Sequence, residues 1–318
     1  MGEPMKWYWY VLIGVGAVAV STVVSAALCI FEKVFRGNSE KAQEILSDAR
    51  KNPDPTVQMR VATYDRMDSM PHETLTLQSE DGVTLRARFF PNGGSKRIAV
   101  AVHGWRSAPW WDYGGTFEWL LDEGFAVLAV SQRALFESGG RYVTYGVREQ
   151  DDLMGWVRLL IERYGTDIRI ALFGVSMGAT TVLLFTGRDD VPKQVCCAVS
   201  DCAFTDAASL FRNTAKGWLP ISRLAVDVVL RMRCGVSYFQ ANAVKAVKRS
   251  GIPTIFLHGD VDEVVPYPMM EKLYSACAAP KERWTVPNAK HGEAYATDPE
   301  GYAVHVLPFL NRYSEKND

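Results

Sequence analysis

From Trp7 to Phe31 the chain carries no charged residue. At about 1.5 Å per helical residue, such a run can cross a hydrocarbon core of about 30 Å. Trp7, Tyr8, Trp9 and Tyr10 open it with an aromatic cluster suited to the headgroup region. The run has no polar face, so a transmembrane anchor over residues 1–36 is expected rather than a buried core helix. Ser25-Ala26-Ala27 offers a small-residue cleavage site, which makes a removable signal peptide the alternative, although the apolar run exceeds the usual length of such a segment. Lys6 alone precedes the run, whereas Lys33, Arg36 and Lys41 follow it. That bias favours a cytoplasmic remainder, while so short an N-terminal tail equally suits a signal-anchor with the remainder outside.

Past the anchor the pattern changes. Asn38 to Lys51 reads as helix and Asn52-Pro53-Asp54-Pro55 breaks it, giving a helical linker over residues 37–71 with one or two helices. Glu73–Gln78 and Val83–Phe90 alternate around Glu80-Asp81-Gly82, a hairpin signal. Apolar strand-like runs then recur at Arg97–Val102, Phe125–Val130, Ile168–Val175, Gln194–Ser200, Pro253–Leu257 and Arg283–Val286. Helical segments separate them, including Phe117–Leu121, Val147–Tyr164 and Ala179–Phe185, and Thr297–Leu310 reads as a closing helix that carries His305. Strands apolar on both faces, alternating with helices, predict an α/β fold with a mostly parallel central sheet covered on both sides. Between Asp201 and Pro253 no strand pattern occurs, but Leu210, Phe211, Trp218, Leu219, Leu224, Val228, Val229 and Leu230 fall at helical spacings. We expect residues 72–318 to form one domain, with a helical cap at about 203–250 that covers the site or, alternatively, patches the sheet edge.

Composition narrows the classes. The 318 residues include 35 basic and 36 acidic side chains, a formal net charge of −1. With the two signs interspersed, no electrostatic case for a nucleic-acid partner exists. Of six cysteines, Cys29 lies in the anchor, and Cys196, Cys197, Cys202, Cys234 and Cys277 form no framework spacing. They read as core thiols. No Cys-x-x-Cys or His-x-x-x-His pair suggests a metal, and no cofactor is expected.

The chemistry concentrates around Gly174-Val175-Ser176-Met177-Gly178, where a strand-like run enters a helix-like one. Glycines two residues either side of a serine are what a strained strand-to-helix turn needs, because side chains there would collide with neighbouring elements. Ser176 is therefore the candidate nucleophile. Downstream, His258-Gly259-Asp260-Val261-Asp262 ends a buried-strand run and supplies Asp262 as acid; Asp201, at the preceding strand end, is the rival. His291 lies in the loop after the last strand and is the candidate base. The order Ser, acid, His is that of acyl-transfer enzymes built on this turn. His103-Gly104-Trp105 follows the first parallel strand, so the backbone N–H groups of Trp105 and Met177 are the expected oxyanion-hole donors. His103 itself reads as a structural loop residue as readily as a functional one. Trp110, Trp111 and, in the cap, Trp218 are candidate walls of a substrate pocket, with plain packing as the alternative for the adjacent pair.

Together, Val102-His103-Gly104-Trp105, Gly174-Val175-Ser176-Met177-Gly178, His258-Gly259-Asp260-Val261-Asp262 and His291-Gly292-Glu293-Ala294-Tyr295 resemble the α/β-hydrolase superfamily. More narrowly, from about Glu73 to Leu310, the chain is similar to the bacterial, often membrane-anchored serine hydrolases of BEM46-like and prolyl-oligopeptidase-like type. Thr144-Tyr145-Gly146 with Glu149, Asp152-Leu153 and Ser200-Asp201-Cys202 belong to the likeness. Where such relatives usually carry Arg-Gly-x-Gly after the fourth strand, this chain has Gln132-Arg133-Ala134-Leu135-Phe136. The resemblance implies a serine hydrolase that cleaves a small-molecule carboxylic ester through an acyl-enzyme. A peptidase or amidase is the runner-up, because one triad serves all acyl transfers. A non-catalytic, membrane-bound binding protein is the third class. Because anchor and hydrolase patterns share no segment, removal of residues before Gly37 is expected to leave a soluble enzyme. The sequence leaves the oligomeric state open.

Overall fold

The computed structural model describes residues 6–214 and 220–315. An apolar helix, α1 (Trp7–Phe35), leads into α2 (Ala42–Lys51) and α3 (Pro55–Ser69), with the break at Asn52-Pro53-Asp54. A hairpin of β1 (Glu73–Gln78) and β2 (Thr84–Phe90) turns through Gly82, whose φ of 78° lies in the left-handed region that favours glycine. β3 (Arg97–Val102), α4 (Pro109–Asp112), α5 (Gly114–Asp122), β4 (Ala126–Ser131), α6 (Glu149–Tyr164), β5 (Arg169–Val175) and α7 (Met177–Thr186) follow. After β6 (Val195–Asp201) come α8 (Ala207–Thr214), α9 (Pro220–Cys234) and α10 (Ala243–Val247), then β7 (Thr254–Gly259), α11 (Pro268–Ala276), β8 (Lys281–Val286), α12 (Ala294–Thr297) and α13 (Pro299–Ser314).

The eight strands form one sheet in the order β1-β2-β4-β3-β5-β6-β7-β8. β2 runs antiparallel to β1 and β4, and all later neighbours pair in parallel. This is the α/β-hydrolase fold, with the expected alternation of strand and helix. β4, β6 and β7 are buried at every position, which is why their sequences run apolar without alternation. Helix boundaries follow local chemistry: Glu149, Asp151 and Asp152 sit in the first turn of α6, where acidic groups suit the helix dipole, and the Asp298 side chain accepts from Gly301 N at the start of α13. α8, α9 and α10 make the cap, inserted after β6. His305 lies on α13 with its ring stacked on Trp284 at 4.9 Å, a packing role.

The expected independence of α1 from the hydrolase domain gives way. From Trp7 to Ala26 the helix is exposed nearly all round, but Ala27, Phe31 and Phe35, spaced by four residues, are fully buried against cap residues Val226, Val229 and Leu230 and loop residues Val143 and Tyr145. The end of α1 is also woven into the loop after β4. Val143 N donates to Phe35 O (2.8 Å), Gly37 N to Arg141 O (2.9 Å) and Asn38 N to Ala134 O (2.9 Å). A cut at residue 36 therefore passes through a packed surface, a contact that the hydrophobic pattern of α1 alone does not reveal.

This packing sets an expectation for stability. Truncating a buried Phe to Ala costs roughly 3–5 kcal/mol, so Phe31→Ala and Phe35→Ala should each lower the melting temperature of the full chain markedly. A chain starting at Gly37 should be less stable than one starting at Ser25, which keeps the buried face; equal melting temperatures for the two would show that the helix end contributes nothing.

Candidate active site

Ser176, Asp262 and His291 all lie just past the carboxyl ends of parallel strands β5, β7 and β8, where open α/β sheets place their sites. Ser176 forms the turn between β5 and α7 with φ 56° and ψ −116°, a backbone conformation that L residues rarely adopt. The flanking glycines have a concrete reason. A Cβ at Gly174 would fall inside van der Waals contact of the Ala179 backbone, and one at Gly178 would overlap the Val102 carbonyl oxygen. The turn is pinned from below by Ser176 N, which donates to Asp201 O at 2.9 Å.

The structure brings the three predicted residues together. Nδ1–H of His291 donates to Asp262 Oδ2 at 2.7 Å, which leaves Nε2 to accept from the Ser176 hydroxyl at 2.8 Å. The Asp262 side chain is fully buried. Its Oδ1 accepts from Val264 N and Val265 N, both at 2.8 Å. Burial works against ionisation of Asp262, but hydrogen bonds from His258 and His291 outweigh it and hold the carboxyl well below the usual range. For His291, burial favours the neutral ring, yet the Asp262 hydrogen bond and charge raise its pKa above 6.5.

The rival carboxylate, Asp201, contributes its backbone oxygen to the turn; among the described residues its side chain makes no hydrogen bond to His291, which it reaches only through its charge. Burial pushes its side chain up to about 7. Cys202, beside it, is buried and its thiol is pushed well up by desolvation; a protonated thiol is a poor metal ligand.

Around Ser176 the backbone leaves two donors free. Among the described residues, neither Trp105 N nor Met177 N donates to a protein acceptor, and Met177 is the first residue of α7, at the positive end of its dipole. Three residues that sequence reasoning assigned no role stabilise this arrangement. Asp112 accepts from Gly104 N (2.6 Å) and Ser107 Oγ (2.6 Å), fixing the loop that carries Trp105. His258 donates from Nε2 to Val265 O (2.8 Å) and lies 3.3 Å from Asp262, buttressing the acid. Arg106 donates to Lys33 O and Arg36 O at 3.0–3.2 Å. No motif marks Asp112 or Arg106, and His258 carried a signal only through its place in the Gly-x-x-Asp turn. His103 is structural: its Nε2 accepts from Gln132 N, so Nδ1 carries the proton toward Gly104 O, and burial keeps the ring neutral.

Ser176 and His291 border two cavities whose linings also share Trp105 and Arg106. One, of about 380 Å³, is walled by Trp110, Trp111 and Phe136 and presents Arg60, Asn38, Ser107 and Asp112. The other, of about 590 Å³, is apolar, formed by Tyr145, Met177, Phe204, Leu210, Phe211 and Val265 together with Ile30 and Val34 of α1. Trp110 is buried and Trp111 half-buried under the Arg60 guanidinium, which stands 4.4 Å from its ring. Both tryptophans thus line a cavity beside the serine. Trp218 lies outside the described residues.

The loop after β4 takes a left-handed path at two positions that are not glycine. Ala134 and Phe136 adopt φ of 60° and 49°, and Arg133 braces the turn through paired bonds to Asp152 (2.6 Å) and Asp81 (2.8 and 3.1 Å).

Comparison with known proteins places the chain in a family. The prolyl oligopeptidase family matches residues 111–317. Protein YqkD of Bacillus subtilis is 29% identical over 202 residues, covering 62% of this chain and 66% of that protein. Protein bem46 of Schizosaccharomyces pombe is 22% identical over 144 residues, 45% of this chain and 43% of the relative. An esterase of Pyrococcus furiosus superposes with a TM-score of 0.64 at 25% identity, covering 78% of this chain and 94% of the esterase.

The raised pKa of His291 sets the expected pH profile. Only the neutral ring accepts the serine proton, so kcat/KM for an ester should rise with pH, with its midpoint above 6.5. Asp262→Asn removes the hydrogen-bonded charge that raises the pKa, so the limb should move to lower pH while the maximal rate falls by about 10⁴. A limb that stays in place in this variant would show that another group sets it.

Proposed function

The chain belongs to the prolyl oligopeptidase family and is a hydrolytic enzyme of α/β-hydrolase type, and from that premise we propose that it cleaves carboxylic esters through an acyl-enzyme on Ser176, with His291 as base and Asp262 as its orienting acid. The observation that carries this reading is the uninterrupted chain Ser176–His291–Asp262 at 2.8 and 2.7 Å, opening on an apolar cavity. The Ser176 oxygen attacks the acyl carbon as its proton passes to His291 Nε2. The developing oxyanion is met by the N–H groups of Trp105 and Met177. The proton then goes to the departing alcohol as the ester C–O bond breaks, and water, deprotonated by the same imidazole, releases the acid. Buried Asp262 holds the tautomer and stabilises the imidazolium.

An ester is favoured over a peptide because the larger cavity beside Ser176 is lined mostly by apolar side chains, with Lys33 and Arg106 as its cations, and such a wall suits an acyl chain better than a hydrogen-bonding backbone. The esterase likeness, which spans nearly all of that protein, points the same way. We further propose that residues 1–36 anchor the enzyme in a membrane, since α1 is long and apolar enough to span one.

Ser176→Ala should abolish labelling by a fluorophosphonate and lower turnover by about 10⁴-fold or more, leaving the melting temperature nearly unchanged. Undiminished labelling would dismiss Ser176. On a panel of p-nitrophenyl acyl esters beside aminoacyl-p-nitroanilides, esters should be cleaved faster, with kcat/KM rising over the first few acyl carbons at up to about 0.8 kcal/mol per buried methylene. Faster cleavage of the anilides would make the peptidase reading the better one.

A further inference from the structure

The apolar cavity has an unusual wall. Ile30 and Val34 of α1 border the same space as Ser176 and His291. Along α1, the exposed stretch from Trp7 to Ala26 spans about 30 Å at 1.5 Å per residue, which matches a bilayer core of about 30 Å. Ile30 lies one helical turn beyond that stretch, which puts the cavity next to the membrane boundary. The cap adds a second apolar surface at the same place. α9 packs its Val226, Val229 and Leu230 face into the cluster that holds Phe31 and Phe35, while Leu224, Val228 and Met232, again spaced by four residues, stand 59%, 48% and 80% exposed. A solvated cap would not be expected to carry such a stripe; one lying on lipid would.

The other cavity is mixed: Ile45, Trp110, Trp111 and Phe136 wall it, and Arg60, Asn38, Ser107 and Asp112 place polar groups in it that a hydrophilic head can meet. Ser176 borders both spaces, one lined by Ile30 and Val34 of α1 and the other carrying these polar groups.

We propose, given that Ser176 is the acyl-transfer nucleophile argued above, that the substrate is an amphiphilic acyl ester resident in the bilayer. Its chain passes sideways from the membrane along the Ile30–Val34 face of α1, beside the packed Phe31 and Phe35, into the apolar cavity, and its polar alcohol part occupies the cavity bearing Arg60. Cleavage breaks the ester C–O bond, transfers the acyl group to Ser176 and releases the alcohol, with the proton from His291, through the Arg60 side.

The test uses the full chain in phosphatidylcholine nanodiscs with monooleoylglycerol as the probe. At fixed bulk concentration, the release of oleate should rise with the mole fraction of probe in the enzyme's own disc; dependence on bulk concentration alone would show uptake from water and overturn the proposal. Ile30→Trp and, from the cap side, Leu210→Trp should each lower the ratio of kcat/KM for p-nitrophenyl decanoate to that for the acetate by about tenfold or more. An unmoved ratio in both folded variants would remove α1 and the cap from substrate binding. The mole-fraction measurement needs no variant and so decides the matter if these proteins fail to fold. Hydrolysis of soluble esters without any of monooleoylglycerol would overturn this inference and leave the esterase reading standing, whereas loss of both activities and of fluorophosphonate labelling would overturn the esterase reading itself.

Discussion

The turn at Ser176 is the constraint from which the site is built. Strand β5 must hand over to α7 within one residue, and that residue has to hold φ 56°. A backbone strained by roughly 1–3 kcal/mol persists only where its surroundings over-determine it. Here the close approach of Gly174 to Ala179 and of Gly178 to Val102 leaves no room to relax, and the Ser176 N–H is held by Asp201 O. The consequence is a hydroxyl at the edge of the sheet and an unengaged Met177 N–H beside it. The neighbouring strand ends then need only short loops to bring His291 and Asp262 within reach.

A second constraint ties this centre to the N-terminal helix. The last carbonyls of an α-helix have no partners within it. In α1 those of Lys33 and Val34, with Arg36 just beyond, are met by Trp105 Nε1, Arg106 and the Tyr145 hydroxyl. Trp105 also lines both cavities beside Ser176. The helix end and the loop carrying Trp105 therefore share their hydrogen bonds, and displacement of one disturbs the other. Glu149 reinforces the link from behind, accepting from Thr144 N, Thr144 Oγ1 and Gly146 N at 2.6–2.8 Å, and so fixes the loop that presents Tyr145.

The loop after β4 shows strain serving shape in the same way. Left-handed conformations at Ala134 and Phe136 cost more than they would at glycine. Ion pairs of buried Arg133 with Asp152 and Asp81, and the bonds that Ala134 O accepts from Asn38 N and Ser39 N, hold the path in place. What this path places is a side chain: Phe136 stands against Tyr64 and Trp110 and walls the cavity that holds Arg60.

Local pattern sufficed for much of this protein. Period-two alternation located the β1–β2 hairpin, all-apolar runs located the buried parallel strands, and Gly174-x-Ser176-x-Gly178 located the turn, because each depends on residues adjacent in sequence. The cap was legible as helices, since its apolar spacing is also local. The contact of His291 with Asp262 rather than Asp201 is another kind of fact: both carboxylates end parallel strands, and only the path of the loops after β7 and β8 selects between them. Asp112, His258 and Arg106 act across loops on backbone atoms, which leave no trace in a motif. The buried face of α1 lay hidden for a related reason. A helix whose exposed stretch is as apolar as its buried face gives no periodic signal, so its composition declares that it avoids water without saying what it avoids water against. Only the packing of Ala27, Phe31 and Phe35 on the cap decided that.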